Sequence, residues 1–436
     1  MAESILRGLL GIIVMLAICV LISNNKRAIN WRLVGIGMAL QFIFAVLVLK
    51  VGWIRHGFEA VASGFAKLSG FTDAGTKFLF SSFASGTLES PLMNFAFTVL
   101  PTVIFFSALS ALFYYLGILQ KIVYAFAWIM SRTMKLSGAE SLSTAGNIFL
   151  GQTEAPLLVK PYISHMTNSE LLCLMTGGMA SIAGGVLAAY IKFLGNGDPQ
   201  AEVMFATHLL TASIMSAPAA IVTSKIIYPE TEDTISPKEL KLADEKMGDN
   251  SLEAISIGTA DGIKLAVNVG AMLLVFIAML AMGNSILGWI GSFHMDGYLS
   301  LNEVIEKASH GKYTVLSFEY IFGIIFAPLA WVIGTPMQDI VAIGRLLGEK
   351  TILNEFVAYM SLGELKNAHV LTEKSIIIAT YALCGFSNIA SIGIQIGGIG
   401  AMAPSKRSAL ARLGVRALIA GAISCFLTAS IAGMLY

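Results

Sequence analysis

Apolar residues follow one another along this chain in blocks, and most blocks have about the 20 residues that a helix needs to cross a hydrocarbon core. The blocks cover residues 5–22, 33–53, 95–116, 171–194, 205–227, 265–290, 375–399 and 415–436, and they predict about eight transmembrane helices. Residues 57–80 differ, because Phe58, Phe65, Leu68 and Phe71 alternate with Lys67, Asp73 and Lys77. That spacing predicts an amphipathic helix lying along a membrane face. Two further segments, 136–163 and 318–362, have apolar arms around a polar middle rich in Gly and Pro. They are too polar for simple spans and too apolar for simple loops.

Composition agrees with the pattern. Of 436 residues, 56% are hydrophobic and 13% charged, whereas soluble domains carry about 25% charged residues. The fold class is therefore an all-α integral membrane protein. A net charge of +1 leaves no surplus to neutralise a phosphate backbone, which excludes nucleic acid as a partner. Basic residues cluster at Lys26, Arg27 and Arg32, at Lys121, Arg132 and Lys135, and at Lys406, Arg407, Arg412 and Arg416. The positive-inside rule makes these loops cytoplasmic and puts both termini outside. The hydrophilic stretch 228–261 then becomes a solvated cytoplasmic loop with a short helix. Arg7 ahead of an apolar run looks like the start of a signal peptide, but no small-residue cleavage pattern follows, so a retained first span is expected. Cys19, Cys173, Cys384 and Cys425 sit inside apolar runs without metal-ligand spacing and read as small core residues.

Counting crossings places the segment 136–163 on the cytoplasmic side and 318–362 on the outer side, so each reads as a re-entrant hairpin entering from its own face. Each is followed by two spans, the first of them interrupted, at 179–190 and 384–398. Hairpin, broken span and span, repeated in opposite orientation, is the outline of an inverted-repeat transporter. The expected organisation is 1–135 for N-terminal spans, interfacial helix and the start of a scaffold; 136–227 for one repeat half; 228–317 for loop, scaffold span and outer segment; 318–436 for the second half. Irregular backbone at membrane depth must be satisfied by protein or by a wet cavity. The broken segments should therefore converge.

The candidate chemistry lies at those breaks. Gln152, Thr153 and Glu154 present amide, hydroxyl and carboxylate in consecutive positions at the first hairpin tip, a surface suited to a planar polar group. Asn354, Glu355 and Phe356 occupy the second hairpin, and Phe386, Ser387, Asn388 and Ser391 the second broken span. A carboxylate that accepts several hydrogen bonds, beside an amide that donates and accepts, suits sugar hydroxyls. Polar residues within spans also serve as glue between helices. Asn147, the carbonyls near Leu150, and Ser181 with Ile182 form a possible cation site of neutral oxygens, although Asn and Ser beside Gly equally suit helix caps.

At these residues the chain resembles the concentrative nucleoside transporters. The signature Gly-x-Lys-x3-Asn-Glu-Phe-Val-Ala-aromatic stands as Gly348, Lys350, Asn354, Glu355, Phe356, Val357, Ala358 and Tyr359. The Gly151-Gln-Thr-Glu-Ala-Pro156 tip and the Gly385, Phe386, Asn388 and Ser391 run match in order. The resemblance implies that Gln152, Thr153, Glu154 and Val186 meet the base, while Glu355, Asn388, Ser391 and Phe386 hold the ribose. It implies a sodium ion at Asn147, Leu150, Ser181 and Ile182, a homotrimer of eight-span chains, and a binding domain that slides against a scaffold. Members that use sodium have Asn and a hydroxyl where Asn147 and Ser181 stand here; proton-coupled symport is the alternative. Ser387 and Ile389 depart from the common Ala and Phe, which leaves base preference open. The short form resembles bacterial members and implies a bacterial inner membrane. An intramembrane enzyme using Glu154 or Glu355 as acid or base has no HExxH, GxSxG or Walker loop to support it. A passive channel differs in not accumulating substrate. A scaffold without transport leaves two polar tips unexplained.

Overall fold

Side-chain caps, prolines and glycines divide the apolar runs into helices in the computed structural model, which describes residues 2–81, 95–232, 248–293, 299–309 and 311–436. Helix α1 is Ala2–Leu21, and α2, Trp31–Lys50, starts where the Asn30 side chain accepts from the Leu33 amide. The amphipathic stretch is α3, Gly52–Phe80, with Ala62, Ser69, Thr72 and Thr76 buried along one face. The third run contains α4, Leu100–Tyr115, which ends at Gly117 with φ 74°. In place of the loop expected there stands α5, Ile118–Met134, bent by 76° from α4. Leu119, Val123, Ala127, Met130 and Met134 bury one face of α5, and this three-to-four spacing makes a helix of the residues between Lys121 and Lys135.

The first interrupted segment begins with α6, Gly138–Gly146, whose Ser137 and Glu140 form a reciprocal capping box. The next span is α7, Asn168–Ala180, capped likewise by Thr167 and Glu170, and α8, Gly184–Gly195, after a break at 181–183. Helix α9 is Pro199–Ile227. Helix α10, Ser251–Gly291, runs for 41 residues from an Asn250 cap, so the last part of the expected hydrophilic loop is helical; residues 233–247 of that loop lie outside the described ones.

The second interrupted segment departs from expectation. A single hairpin over 318–362 needs one polar break, and the structure has two. Helix α11, Phe318–Val332, ends at Gly334, whose φ of 101° only glycine adopts freely, and Pro336 follows before α12, Ile340–Ile352. The second break falls at Leu353 and Asn354, where the Asn354 side chain accepts from the Val357 amide and starts α13, Glu355–Asn367. The helices on either side of the break at Glu355 are therefore α12 and α13, and α11 is a separate arm packed along α12, where a Cβ on Gly344 would lie 2.5 Å from the Gly323 carbonyl oxygen. The last spans are α14, Glu373–Leu383, α15, Ile389–Met402, and α16, Arg407–Leu435.

Among the described residues, six helical stretches are long and apolar enough to cross a membrane, and α4 with α5 adds a bent seventh. The run at 375–399 is two helices of 11 and 14 residues, each too short to cross alone. Helices α7, α9 and much of α16 are buried on every side, whereas α1 and α10 expose apolar residues such as Leu6 and Leu274. All four cysteines are free and buried, as small core residues are.

Helices α4 and α10 approach closely because α10 presents small residues one turn apart. A Cβ on Gly258 would lie 2.8 Å from the Ala108 Cα, and one on Gly262 2.8 Å from the Ile104 Cα, backbone distances that only glycine permits. Gly262→Val should cost about 1–3 kcal/mol of packing, seen as a lower midpoint of thermal unfolding in detergent. Gly35→Ala, where nothing lies within 4 Å, is the control and should leave that midpoint in place or raise it slightly, since alanine favours the helix.

Candidate functional site

Two helix breaks meet at the centre of the fold. The Phe386 amide, in the break between α14 and α15, donates to the Ser181 carbonyl, in the break between α7 and α8, at 3.2 Å. A Cβ on Gly385 would stand 2.8 Å from the Met179 carbonyl oxygen, so the crossing needs a residue without a side chain. Helix α15 then starts from Asn388, whose Oδ1 accepts from the Ser391 amide at 2.9 Å. This leaves the Asn388 Nδ2 pointing away from its own helix.

That Nδ2 donates to Glu355 Oε2 at 2.8 Å, and the Tyr190 hydroxyl donates to Glu355 Oε1 at 3.2 Å. From the turn that follows α6, Gln152 Nε2 donates to Ser391 Oγ at 3.3 Å, and Gln152 Oε1 accepts from Gln395 Nε2 at 3.2 Å. Gln395 also donates to the Met175 carbonyl at 3.0 Å. A continuous polar chain thus runs from Gln395 through Gln152, Ser391 and Asn388 to Glu355 and Tyr190. It joins the turn after α6 to the start of α13. Gln152 is 8% exposed and Glu355 3%, so neither is bathed at a loop apex. Buried polar groups at such depth are expensive unless partnered, which is the reason for the chain of bonds.

The other expected residues are placed less uniformly. Thr153 packs on α15, where a Cβ on Gly398 would meet its Cγ2 at 2.9 Å. Glu154 turns back so that its carboxylate accepts from the Gly151 amide, and it lines a separate cavity of about 120 Å³ together with Asp261, Ser107 and Ser110. Val186 is buried on α8, beside Gly185, whose added Cβ would lie 3.5 Å from the Val103 carbonyl oxygen on α4. Phe386 is partly buried in the break, and the Ser387 hydroxyl is buried without a partner.

Of the expected cation ligands, Asn147 and Ser181 both reach the last turn of α7. The Ser181 hydroxyl donates to the Gly177 carbonyl at 2.9 Å. A Cβ on Gly177 would stand 2.9 Å from Asn147 Nδ2, which itself donates to the Ser143 carbonyl at 3.0 Å. Asn147 Oδ1 is buried and has no partner. Among the described residues the carbonyls of Leu150 and Ile182 accept no hydrogen bond. Unpartnered neutral oxygens near a helix C-terminus fit a monovalent cation better than they fit a donor. No cluster of three or more His, Cys, Asp or Glu side chains occurs among the described residues, so a transition-metal site has no support there.

Tyr190, Gln395 and Asp261 join these sites in the structure without standing among the residues that the sequence motifs mark. Gln395 stands one turn beyond Ser391, which is itself three residues beyond Asn388, so the three share a face of α15. That spacing was available as a signal. The contact of Tyr190 with Glu355 is between residues 165 apart and had none.

Helices with breaks that meet at a buried polar centre, inside a shell of long apolar helices, define a multi-pass membrane protein of the transporter class. Three family models together match most of the chain: "Na+ dependent nucleoside transporter N-terminus" over residues 10–83, "Nucleoside recognition" over 96–197, and "Na+ dependent nucleoside transporter C-terminus" over 208–433. The chain belongs to the Na+ dependent nucleoside transporter family. It is 41% identical to an uncharacterized transporter of Haemophilus influenzae over 99% of this chain and 98% of that one. It is 38% identical to the rat sodium/nucleoside cotransporter 1 over 98% of this chain, although it spans only 63% of that protein's length. Among solved structures it is similar to CNTnw in an inward-facing substrate-bound state, with TM-score 0.84 and 37% identity over 99% of this chain and 98% of that one. A doubly substituted CNTnw in an outward-facing state gives TM-score 0.87 at 36% identity, over 99% and 98% of the two chains. These relatives are transporters and not enzymes, and sodium is the family's coupling ion.

Proposed function

We propose that this chain imports nucleosides together with sodium by alternating access. The observation that carries the reading is the buried polar chain from Gln152 to Glu355, formed where the two hairpin tips meet. Gln152 and Thr153, with Val186, meet the base, and Glu154 joins them, directly or through water, when its carboxylate leaves the Gly151 amide. Gln152 can exchange its bond to Gln395 or Ser391 for one to the base at little net cost, because one neutral hydrogen bond replaces another. Glu355, Asn388 and Ser391 hold the ribose, with Phe386 alongside. Two of the roughly four acceptor positions of the Glu355 carboxylate are filled by Asn388 and Tyr190, which leaves capacity for sugar hydroxyls.

Sodium binds at Asn147 and Ser181 with the carbonyls of Leu150 and Ile182, and so fixes the loop leading to Gln152. In the membrane the chain has eight crossings, counting α7–α8 and α14–α15 as broken spans, with the hairpins entering from opposite faces and α3 along one face. It works as a homotrimer in a bacterial inner membrane with both termini outside, and its repeat halves are residues 136–227 and 318–436. Uptake of radiolabelled uridine and adenosine into proteoliposomes tests the reading: an inward sodium gradient should drive accumulation, and choline in its place should stop it. Uptake that persists in choline and follows a pH gradient would replace sodium by protons, and equilibration without accumulation would make the chain a channel.

A further inference from the structure

Lys350 is fully buried, yet it belongs to neither the base, the ribose nor the sodium site. A charged ammonium at this depth is costly and calls for a reason. Its Nζ donates to the Ala382 carbonyl at 2.8 Å and stands 5.9 Å from the centroid of the Phe426 ring. Ala382 lies in the last turn of α14, where the carbonyls of the broken span carry the negative end of the helix dipole. Beside it, the Tyr359 hydroxyl of α13 donates to the Thr380 carbonyl at 2.7 Å. Both bonds tie the second hairpin to the C-terminal turn of the first half of a broken span.

The first repeat half has the same layout with one difference. Helix α6 ends at Asn147, whose buried Oδ1 has no partner, beside the C-terminal turn of α7. Helix α12 ends at Leu353, which offers no side-chain oxygen, and Lys350 stands three residues earlier. One half leaves oxygens without a donor; the other brings its own donor. We propose that Lys350 is a positioning residue that supplies, covalently, the cation that the first half takes from solution. It holds the second tip closed on α14 and keeps Glu355, five residues on, aimed at the substrate. The first tip is thus ordered by an ion that comes and goes, and the second is ordered permanently.

The inference rests on the ribose role given above to Glu355, and the test keeps the two apart. The purified full chain is titrated calorimetrically with uridine and with 2′,3′-dideoxyuridine in saturating sodium chloride, and its thermal stabilisation by sodium chloride alone is recorded. Lys350→Met should weaken uridine about tenfold or more, the worth of one charge-assisted hydrogen bond. It should change dideoxyuridine little, and leave the sodium stabilisation intact. Combined with Glu355→Gln it should add nothing further. Unchanged uridine affinity, an equal loss for both ligands, or loss of the sodium stabilisation overturns the proposal. If Lys350→Met fails to fold, Lys350→Gln, which keeps a neutral donor for the Ala382 carbonyl, takes its place with the same outcomes expected and the same results overturning the proposal. Uridine binding by Glu355→Gln alone at the wild-type level defeats the role of Glu355, whatever Lys350 does.

Discussion

Glu355→Gln should reduce uptake of dilute uridine by about 100-fold or more while the protein still folds. The reason it folds lies in the partners. Asn388 cannot turn its amide over, because its Oδ1 caps α15 at the Ser391 amide. A glutamine must therefore place its oxygen toward Asn388 Nδ2 and its amide nitrogen toward Tyr190. The tyrosine hydroxyl can rotate from donor to acceptor, so both contacts survive and no buried donor faces another donor. The losses are the negative charge and the free acceptor capacity. Two ribose hydroxyls held by charge-assisted bonds of about 1.5–3 kcal/mol each amount to about 100-fold or more when both are weakened. Initial-rate uptake in proteoliposomes, with circular dichroism and size-exclusion profiles as fold controls, measures this. Wild-type rates from a folded Glu355→Gln protein would remove Glu355 from the site.

The polar residues at the helix breaks could be read from the sequence because a membrane interior gives them few alternatives. Glu355, Asn388 and Gln152 stand in otherwise apolar surroundings, and desolvation forces such groups to find one another. Their convergence follows from that penalty more than from any local propensity. Helix boundaries set by single residues were less legible. Gly334 and Pro336 divide what the pattern presents as one hairpin, and nothing in hydropathy separates that break from the one at Asn354. Leu119, Val123, Ala127, Met130 and Met134 keep an amphipathic spacing, but Lys121, Arg132 and Lys135 in the same stretch give it the charge of a cytoplasmic loop. Glu154 shows a third limit. A carboxylate three residues after Gly151 can satisfy itself on that backbone amide, a local choice that no pattern of apolar positions records, and it leaves Glu154 in a cavity facing Asp261 and apart from the Gln152 chain.

Asn147→Ala should separate substrate binding from accumulation. Alanine removes the buried Oδ1 that has no protein donor and the Nδ2 bond to the Ser143 carbonyl. The second is one hydrogen bond of about 1 kcal/mol, small enough for the fold to survive. The first is a ligand of the proposed ion, and its loss should raise the sodium concentration needed for half-maximal uptake by about tenfold or more. Linkage then requires nucleoside affinity in ordinary sodium to fall by the coupling factor, since each ligand can raise the other's affinity only by the same amount. The energetic consequence is larger than the loss of affinity. A sodium ion moving down a 100 mV potential supplies about 2.3 kcal/mol, enough for about fiftyfold accumulation, and a carrier that moves without its ion forfeits all of it. Asn147→Ala proteoliposomes should therefore bring internal and external uridine to equality and respond no longer to an imposed potential. Accumulation at the wild-type ratio, with unchanged sodium dependence, would place the coupling ion elsewhere than between Asn147 and Ser181.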